Sequence, residues 1–334
     1  MKNKIIDCIS ELIYQTTSNQ QAFDNRLKGF IAEALAPDEV VRANGHIPLK
    51  GGWIIPLPSS PRFRDTIKVL YLTILDPVEF RDNESKYCEI YNKLEKFEYK
   101  FLATYALNWD KEMDLDDKFS KMKFPEIDIT YYKFHSEEKS FVESNYDSIQ
   151  SLQKRTPPTW KKPKTFNINR TSNQILNKLS DNSLSDILCE RYIFDYKLGN
   201  MFFGRGVPAD FDLIVYFPKY DKYVIYEIKE KDKSKKNNNK NNVVGFGMDI
   251  DRIDDYATFI EWFPSFDFRY LVREINDQTK RDFIAWHSIK MSDFIQKSIF
   301  DPEGKSGGQG MLPSTVCPEH IKTAICSFES FKKI

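Results

Sequence analysis

Histidine and cysteine are scarce in this sequence, and their arrangement excludes the metal sites that depend on them. The four histidines do not cluster along the chain, which gives no support to a zinc site or to another site built from histidine ligands. The five cysteines are scattered, and no pair has the spacing of metal ligands. An odd and scattered set is typical of reduced, buried thiols, so we expect a cytoplasmic protein without disulfides.

The chain also has no excess charge of either sign and no long hydrophobic run. Lys and Arg together number 49, as do Asp and Glu, so the formal net charge is zero. A nucleic-acid-binding protein with this balance must concentrate its positive charge in local patches. The N-terminal residues are too polar and amphipathic for a signal peptide, and no run approaches the length of a membrane span.

A phosphate-binding P-loop is absent as well, although the segment GKSGGQG at residues 304–310 suggests one at first sight. The P-loop motif requires a glycine five residues before its Gly-Lys pair, and Ile299 occupies that position. We therefore interpret this segment as a flexible surface loop.

The length and the overall composition of the chain are typical of a globular protein with a sizeable core. The chain has 334 residues, of which 41% are hydrophobic and 29% are charged, so it is long enough for two domains. We predict an N-terminal domain at residues 1–150, a linker at 151–171 and a C-terminal domain at 172–334. The N-terminal domain is predicted to be mainly helical, and recognition, partner contact and dimerisation all remain open as its role.

An aromatic stripe runs through residues 84–120, which we predict to be largely helical. Its apolar residues recur every three or four positions, at Tyr87, Tyr91, Leu94, Phe97, Phe101 and Tyr105. Such a stripe is more often buried in a core than exposed for the stacking of bases, so we interpret it as core.

The linker is basic and rich in proline. Five of its basic residues lie on either side of Trp160 in the sequence, a mixture suited to phosphate contacts. They are Lys154, Arg155, Lys161, Lys162 and Lys164. A nucleic-acid-binding arm and a plain solvated linker are equally good interpretations of this composition.

The most informative stretch is a predicted β-hairpin in the C-terminal domain. Two apolar runs, Phe211–Phe217 and Tyr223–Ile228, flank a short polar break. Asp212 lies near the start of the first run and Glu227 near the end of the second, where Lys229 shares its face of the strand. Two carboxylates can hold Mg²⁺ through oxygen, and the lysine can orient a water molecule beside it.

Asp212 followed by Glu227-Ile228-Lys229 resembles the signature of the PD-(D/E)xK nuclease superfamily, which includes many type II restriction endonucleases. The resemblance covers about a third of the chain, roughly residues 183–295. It implies an α/β (α+β) fold like that of restriction endonucleases, with a mixed sheet flanked by helices. It also implies that Asp212, Glu227 and the Ile228 carbonyl bind the metal and that Lys229 activates the water.

The resemblance leaves three features of the site open: the first acid, a helical glutamate and a motif after the hairpin. Asp210 resembles the Pro-Asp sequence of the family motif, whereas Asp212 better matches the position expected within the strand. Both side chains lie on the same face of the strand. Family members often place a helical glutamate beside the metal; Glu190 is our candidate, with a surface salt bridge as the alternative. One branch carries Gln-x-x-x-Tyr after the hairpin, and here Arg252 and Tyr256 stand in those positions.

Glu33 is interpreted as a solvated residue on a helix face.

These observations and the resemblance together predict a Mg²⁺-dependent endonuclease that hydrolyses DNA, with duplex DNA as the expected substrate, as part of restriction or phage defence. Formation of a homodimer is left open, and no membrane partner is expected. Two alternatives remain: a catalytically inactive binding module on the same fold, and an enzyme that cleaves RNA.

Overall fold

The computed structural model describes residues 1–17, 20–56, 69–116, 119–150, 175–198, 209–235, 243–277, 280–301 and 323–334. The protein is mixed α/β and contains a large mixed sheet. The basic linker at 151–171 and the segment at 304–310 lie outside the described residues. Within the described ranges, no helix combines the length and the apolar character needed to cross a membrane.

The chain divides into two compact units that do not follow its order. Unit 1 comprises residues 1–27, 52–210 and 310–312, and unit 2 comprises residues 28–51, 211–309 and 313–334. This division differs from the predicted domains, because residues 28–51 group with the hairpin and residues 175–198 group with the N-terminal strands. That residues 1–150 and 172–334 fold independently, with a linker at 151–171 between them, stays a prediction.

Unit 1 combines helices with strands. Its helices are α1 (Lys2–Thr16), the first part of α2 (Gln20–Ala36), α3 (Pro77–Lys93), α4 (Tyr146–Gln150) and α5 (Asp181–Arg191), which continues as a π-helix (Tyr192–Lys197). Its strands are the second half of β1 (Ile47–Pro56), β2 (Val69–Leu75), β3 (Tyr99–Asp114), β4 (Lys123–His135) and β5 (Ser140–Ser144). They lie in the order β1-β2-β3-β4-β5, with β2 and β3 parallel and the other neighbours antiparallel.

The predicted helix over residues 84–120 is only partly confirmed. Helix α3 accounts for Tyr87 and Tyr91, but the predicted helix does not continue, because Phe101 and Tyr105 belong to strand β3. Residues 100–105 are buried on both faces of the sheet, so this stretch has no clear period of two. All six residues of the stripe are buried, which confirms the interpretation as core.

Unit 2 carries the hairpin. Its helices are the remainder of α2, a π-helix (Pro37–Val41), a short 3-10 helix (Arg42–Asn44), α6 (Ile250–Trp262), α7 (Met291–Lys297) and a second 3-10 helix (Phe328–Ser330). Its strands are the first half of β1, β6 (Ala209–Phe217) from Phe211 on, β7 (Lys222–Lys231), β8 (Ser234–Lys235), β9 (Val244–Asp249), β10 (Phe266–Ile275), β11 (Phe283–Lys290), β12 (Ile299–Asp301), β13 (Thr323–Ser327) and β14 (Lys332–Lys333).

The predicted hairpin is confirmed, with β6 and β7 antiparallel from the Leu213–Tyr226 pair to the Phe217–Lys222 pair. Strand β7 continues the sheet in the order β6-β7-β10-β11-β14, and its pairing with β10 is parallel. A parallel pair needs a crossover connection, and α6 lies in that connection. Strands β12, β13, β9 and β8 form a separate small sheet.

One face of this sheet is covered by the end of α2. Ala32 and Ala36 belong to a buried cluster with Leu213, Val224 and Ile228 of the hairpin. Successive side chains of a strand alternate between its faces, so burial of Ile228 against this cluster turns its neighbours Glu227 and Lys229 to the other face. The apolar pattern of the hairpin therefore fixes which face carries the charged residues.

Candidate metal centre

The end of the hairpin brings three carboxylates together. Asp210 and Asp212 of β6 and Glu227 of β7 each offer an oxygen, and these oxygens all lie within 4.8 Å of one another. The two aspartates are half-buried and the glutamate is buried. Both candidates for the first acid, Asp210 and Asp212, therefore belong to the cluster.

Asp212 lies just beyond the regular part of the hairpin ladder, where a backbone donor of β7 needs an acceptor. Its Oδ2 accepts a hydrogen bond of 2.6 Å from the backbone N–H of Ile228. On the other side, the backbone of Phe211 passes so close to Gly51 of β1 that a Cβ there would lie 1.7 Å from the Phe211 oxygen. A glycine is thus required beside the strand segment that carries the acids.

Glu227 is completely buried, and helix α6 supplies its partners. Arg252 donates to Oε2 from Nε at 3.0 Å and from Nη2 at 2.6 Å. The Tyr256 hydroxyl donates to the same oxygen at 2.9 Å. Residues four positions apart share a helix face, so one turn of α6 presents both donors to the carboxylate. These are the two residues at the Gln-x-x-x-Tyr positions.

The charge of Glu227 is stabilised in spite of its burial. Burial by itself raises the pKa of a carboxyl group, but the positive charges of Arg252 and Lys229 outweigh it and lower the pKa of Glu227 below its ordinary value. The second oxygen, Oε1, is buried and lies 2.8 Å from Lys229 Nζ. This contact is an ion pair, and Oε1 accepts no hydrogen bond from any other described residue.

Lys229 connects the two strands of the site. Its Nζ lies 3.4 Å from Asp212 Oδ2 as well as close to Glu227, and the side chain is 40% exposed. Burial opposes the charged form, but Asp212, Glu227 and Glu33 outweigh it and raise the pKa of Lys229 well above its ordinary value. The lysine is therefore an ammonium ion at neutral pH, suited to orienting a water molecule or a phosphate oxygen.

Glu33 lies in a different environment from the solvated helix face that is predicted for it. It lies in α2 and is half-buried rather than fully solvated, and its charge acts on Lys229. Glu190, the predicted helical glutamate, has different partners: its Oε1 accepts hydrogen bonds from Trp53 Nε1 at 3.2 Å and from Arg191 Nη2 at 3.1 Å. Among the described residues, the carboxylate cluster does not include Glu190.

The donor set fits a hard divalent cation. Three carboxylates without a neutral nitrogen or sulfur ligand suit Mg²⁺ or a similar ion, which prefers oxygen. The three negative charges exceed the two positive charges of Lys229 and Arg252, and Glu227 contributes a buried oxygen without a hydrogen bond. A contribution of the Ile228 carbonyl stays a prediction, as does phosphate binding by residues 154–164, which lie outside the described residues.

Comparisons with known proteins identify no relative of this chain. Neither the family models, nor the curated proteins, nor the solved structures give a match to the chain. The functional interpretation therefore depends on the geometry of these side chains.

Proposed function

We propose that this protein is a Mg²⁺-dependent nuclease that hydrolyses phosphodiester bonds in DNA, with a restriction-endonuclease-like arrangement of the residues around the hairpin. One observation carries the proposal: Asp210, Asp212 and Glu227 converge within 4.8 Å, and Lys229 lies 2.8 Å from Glu227. Carboxylates can hold the metal ion, and an ammonium group in contact with them can orient water or a phosphate oxygen, which suits metal-assisted hydrolysis of a phosphodiester.

The proposed roles follow from what each side chain contacts. Asp210, Asp212 and Glu227 hold the cation. When bound, Mg²⁺ supplies a Lewis acid that polarises the scissile phosphate and lowers the pKa of a bound water molecule. Lys229 carries a fixed positive charge beside the carboxylates and orients the attacking water or neutralises a phosphate oxygen. Glu33 stabilises the charged lysine from the neighbouring helix.

Duplex DNA is proposed as the substrate from the sequence resemblance, and defence against foreign DNA as the biological role. Phosphate contacts beyond the site are assigned to the basic segment, Lys154, Arg155, Lys161, Lys162 and Lys164. These five residues supply the local positive patch that a chain of zero net charge needs in order to bind a polyanion.

A panel of substrates tests this proposal. Purified protein is incubated with supercoiled plasmid, linear duplex, single-stranded DNA and RNA, each with Mg²⁺ or with EDTA. Cleavage of DNA that requires Mg²⁺ and ends in 5′-phosphates supports the proposal. Cleavage confined to RNA identifies the RNA-cleaving alternative, and binding without cleavage under all conditions identifies the inactive binding module.

A further inference from the structure

Glu227 is held differently at its two carboxylate oxygens. Oε2 accepts three hydrogen bonds, two from Arg252 and one from Tyr256, at 2.6 to 3.0 Å. Oε1 accepts none with good geometry from the described residues, although Lys229 Nζ lies 2.8 Å away. The carboxylate is therefore fixed in orientation, with one oxygen engaged by α6 and the other available at the acidic cluster.

Saturation of Oε2 limits how Glu227 can bind a cation. A carboxylate oxygen offers about two lone pairs, and three donors already exceed that number. A cation can therefore take Oε1, but it cannot also take Oε2 without displacing Arg252 from a salt bridge that is largely buried. Displacement would also break two hydrogen bonds between charged groups, at a guanidinium that is only 17% exposed.

Monodentate binding affects different cations unequally. Ca²⁺ takes about six to eight oxygen ligands and often binds a carboxylate through both oxygens. Mg²⁺ is smaller, keeps several of its water molecules and needs few protein ligands. A glutamate that offers only one oxygen therefore deprives Ca²⁺ of a ligand. Mg²⁺ does not need that second oxygen and is affected less.

We propose that Arg252 and Tyr256 determine cation specificity, by restricting Glu227 to one oxygen and so favouring Mg²⁺ over Ca²⁺. This inference rests on the proposed metal site. Neither residue binds the cation: both are positioning residues that act through Glu227. The arginine at the position of the Gln-x-x-x-Tyr glutamine thus has a function of its own, because its two donors and its charge secure the carboxylate more strongly than an amide can.

Calorimetric titration of the full chain with Mg²⁺ and with Ca²⁺, without nucleic acid, tests the inference. The quantity of interest is the ratio of the two dissociation constants at one pH. In Arg252→Gln and in Tyr256→Phe, the preference for Mg²⁺ should fall, with a change of about 10-fold or more expected for the arginine variant. Arg252→Lys retains the charge but not the two-donor fork, so an intermediate ratio is expected.

Matched controls separate this effect from a general loss of structure. Tyr270 is a buried tyrosine beside Glu227 in the sheet, but its hydroxyl donates to the Gly247 carbonyl, so Tyr270→Phe should leave the ratio unchanged. Arg269 pairs with Asp267, and Arg269→Gln is the matched arginine control. Melting temperatures of all variants show whether each one folds; if Arg252→Gln does not, Tyr256→Phe and Arg252→Lys still decide the outcome.

The possible results point to different errors. A wild-type protein that binds neither cation would overturn the proposed metal site and this inference with it. Cation binding with the same ratio in the wild type and in the folded Arg252 and Tyr256 variants would overturn the inference alone. A lower melting temperature with an unchanged ratio would identify the two residues as structural and would likewise contradict it.

Discussion

Asp212 Oδ2 accepts a hydrogen bond of 2.6 Å from the backbone N–H of Ile228, where the regular pairing of the hairpin has stopped. The acid that is proposed to bind a cation therefore also satisfies a donor of the neighbouring strand. Asp212 therefore has a role in the fold besides its place in the carboxylate cluster.

The first prediction concerns stability. Asp212→Ala should lower the free energy of unfolding by about 1–3 kcal/mol, because the Ile228 N–H loses its acceptor in a part-buried position. Cation binding should weaken as well. Urea denaturation without divalent cations measures the loss of stability, and a stability equal to that of the wild type would show that the Ile228 contact does not matter.

Loss of the ammonium group should separate catalysis from folding. Lys229→Ala should abolish cleavage and should leave cation binding intact or stronger, because a positive charge leaves the carboxylates. Plasmid cleavage and calorimetry measure the two effects. Lys222→Ala, at the exposed start of the same strand, is the control and should cleave normally. Cleavage by Lys229→Ala at the wild-type rate would rule out the assigned role.

The two helical glutamates should behave differently. Glu33→Gln should reduce the cleavage rate, because it removes a charge that stabilises the Lys229 ammonium. Glu190→Gln should instead weaken the contacts with Trp53 and Arg191 and lower the melting temperature, with little effect on the cleavage rate of the folded fraction. The opposite pattern would restore Glu190 as the helical glutamate of the site.

The basic segment should contribute to affinity in a way that depends on salt. Each phosphate contact that is lost should flatten the slope of log K against log salt by roughly 0.9 on duplex DNA. Changing Lys161, Lys162 and Lys164 together to Gln should therefore reduce the slope by up to roughly 2–3 units. Binding is measured in a Lys229→Ala background so that the duplex stays intact. An unchanged slope would identify the segment as a plain linker.

Local patterns were sufficient to predict the hairpin and the meeting of its charged residues. Two runs of β-branched and aromatic residues, each of strand length, with a short polar turn between them predict the hairpin, and the period of two places Glu227 and Lys229 on one face. The prediction failed at Tyr99–Asp114, because the apolar residues at the start of this strand continue the three- and four-residue spacing that begins in helix α3.

Two features of the site depend on contacts between distant parts of the chain, which no local pattern reveals. Glu33 raises the pKa of Lys229 although nearly two hundred residues separate them in the sequence. In the sequence, Arg252 is only a departure from the Gln-x-x-x-Tyr motif. Its salt bridge with Glu227 follows from the placement of α6 beside β7, which the crossover to β10 determines.

The most direct test of the metal centre compares wild-type protein with Glu227→Gln in the cleavage of supercoiled plasmid over a range of Mg²⁺ concentrations. The substitution preserves shape but removes one of three anionic ligands, so cleavage should be lost, or should require far more Mg²⁺, in a protein that still folds. Glu261→Gln, on an exposed position of α6, is the matched control and should cleave as the wild type does. Cleavage by folded Glu227→Gln with the Mg²⁺ dependence of the wild type would contradict the proposed site.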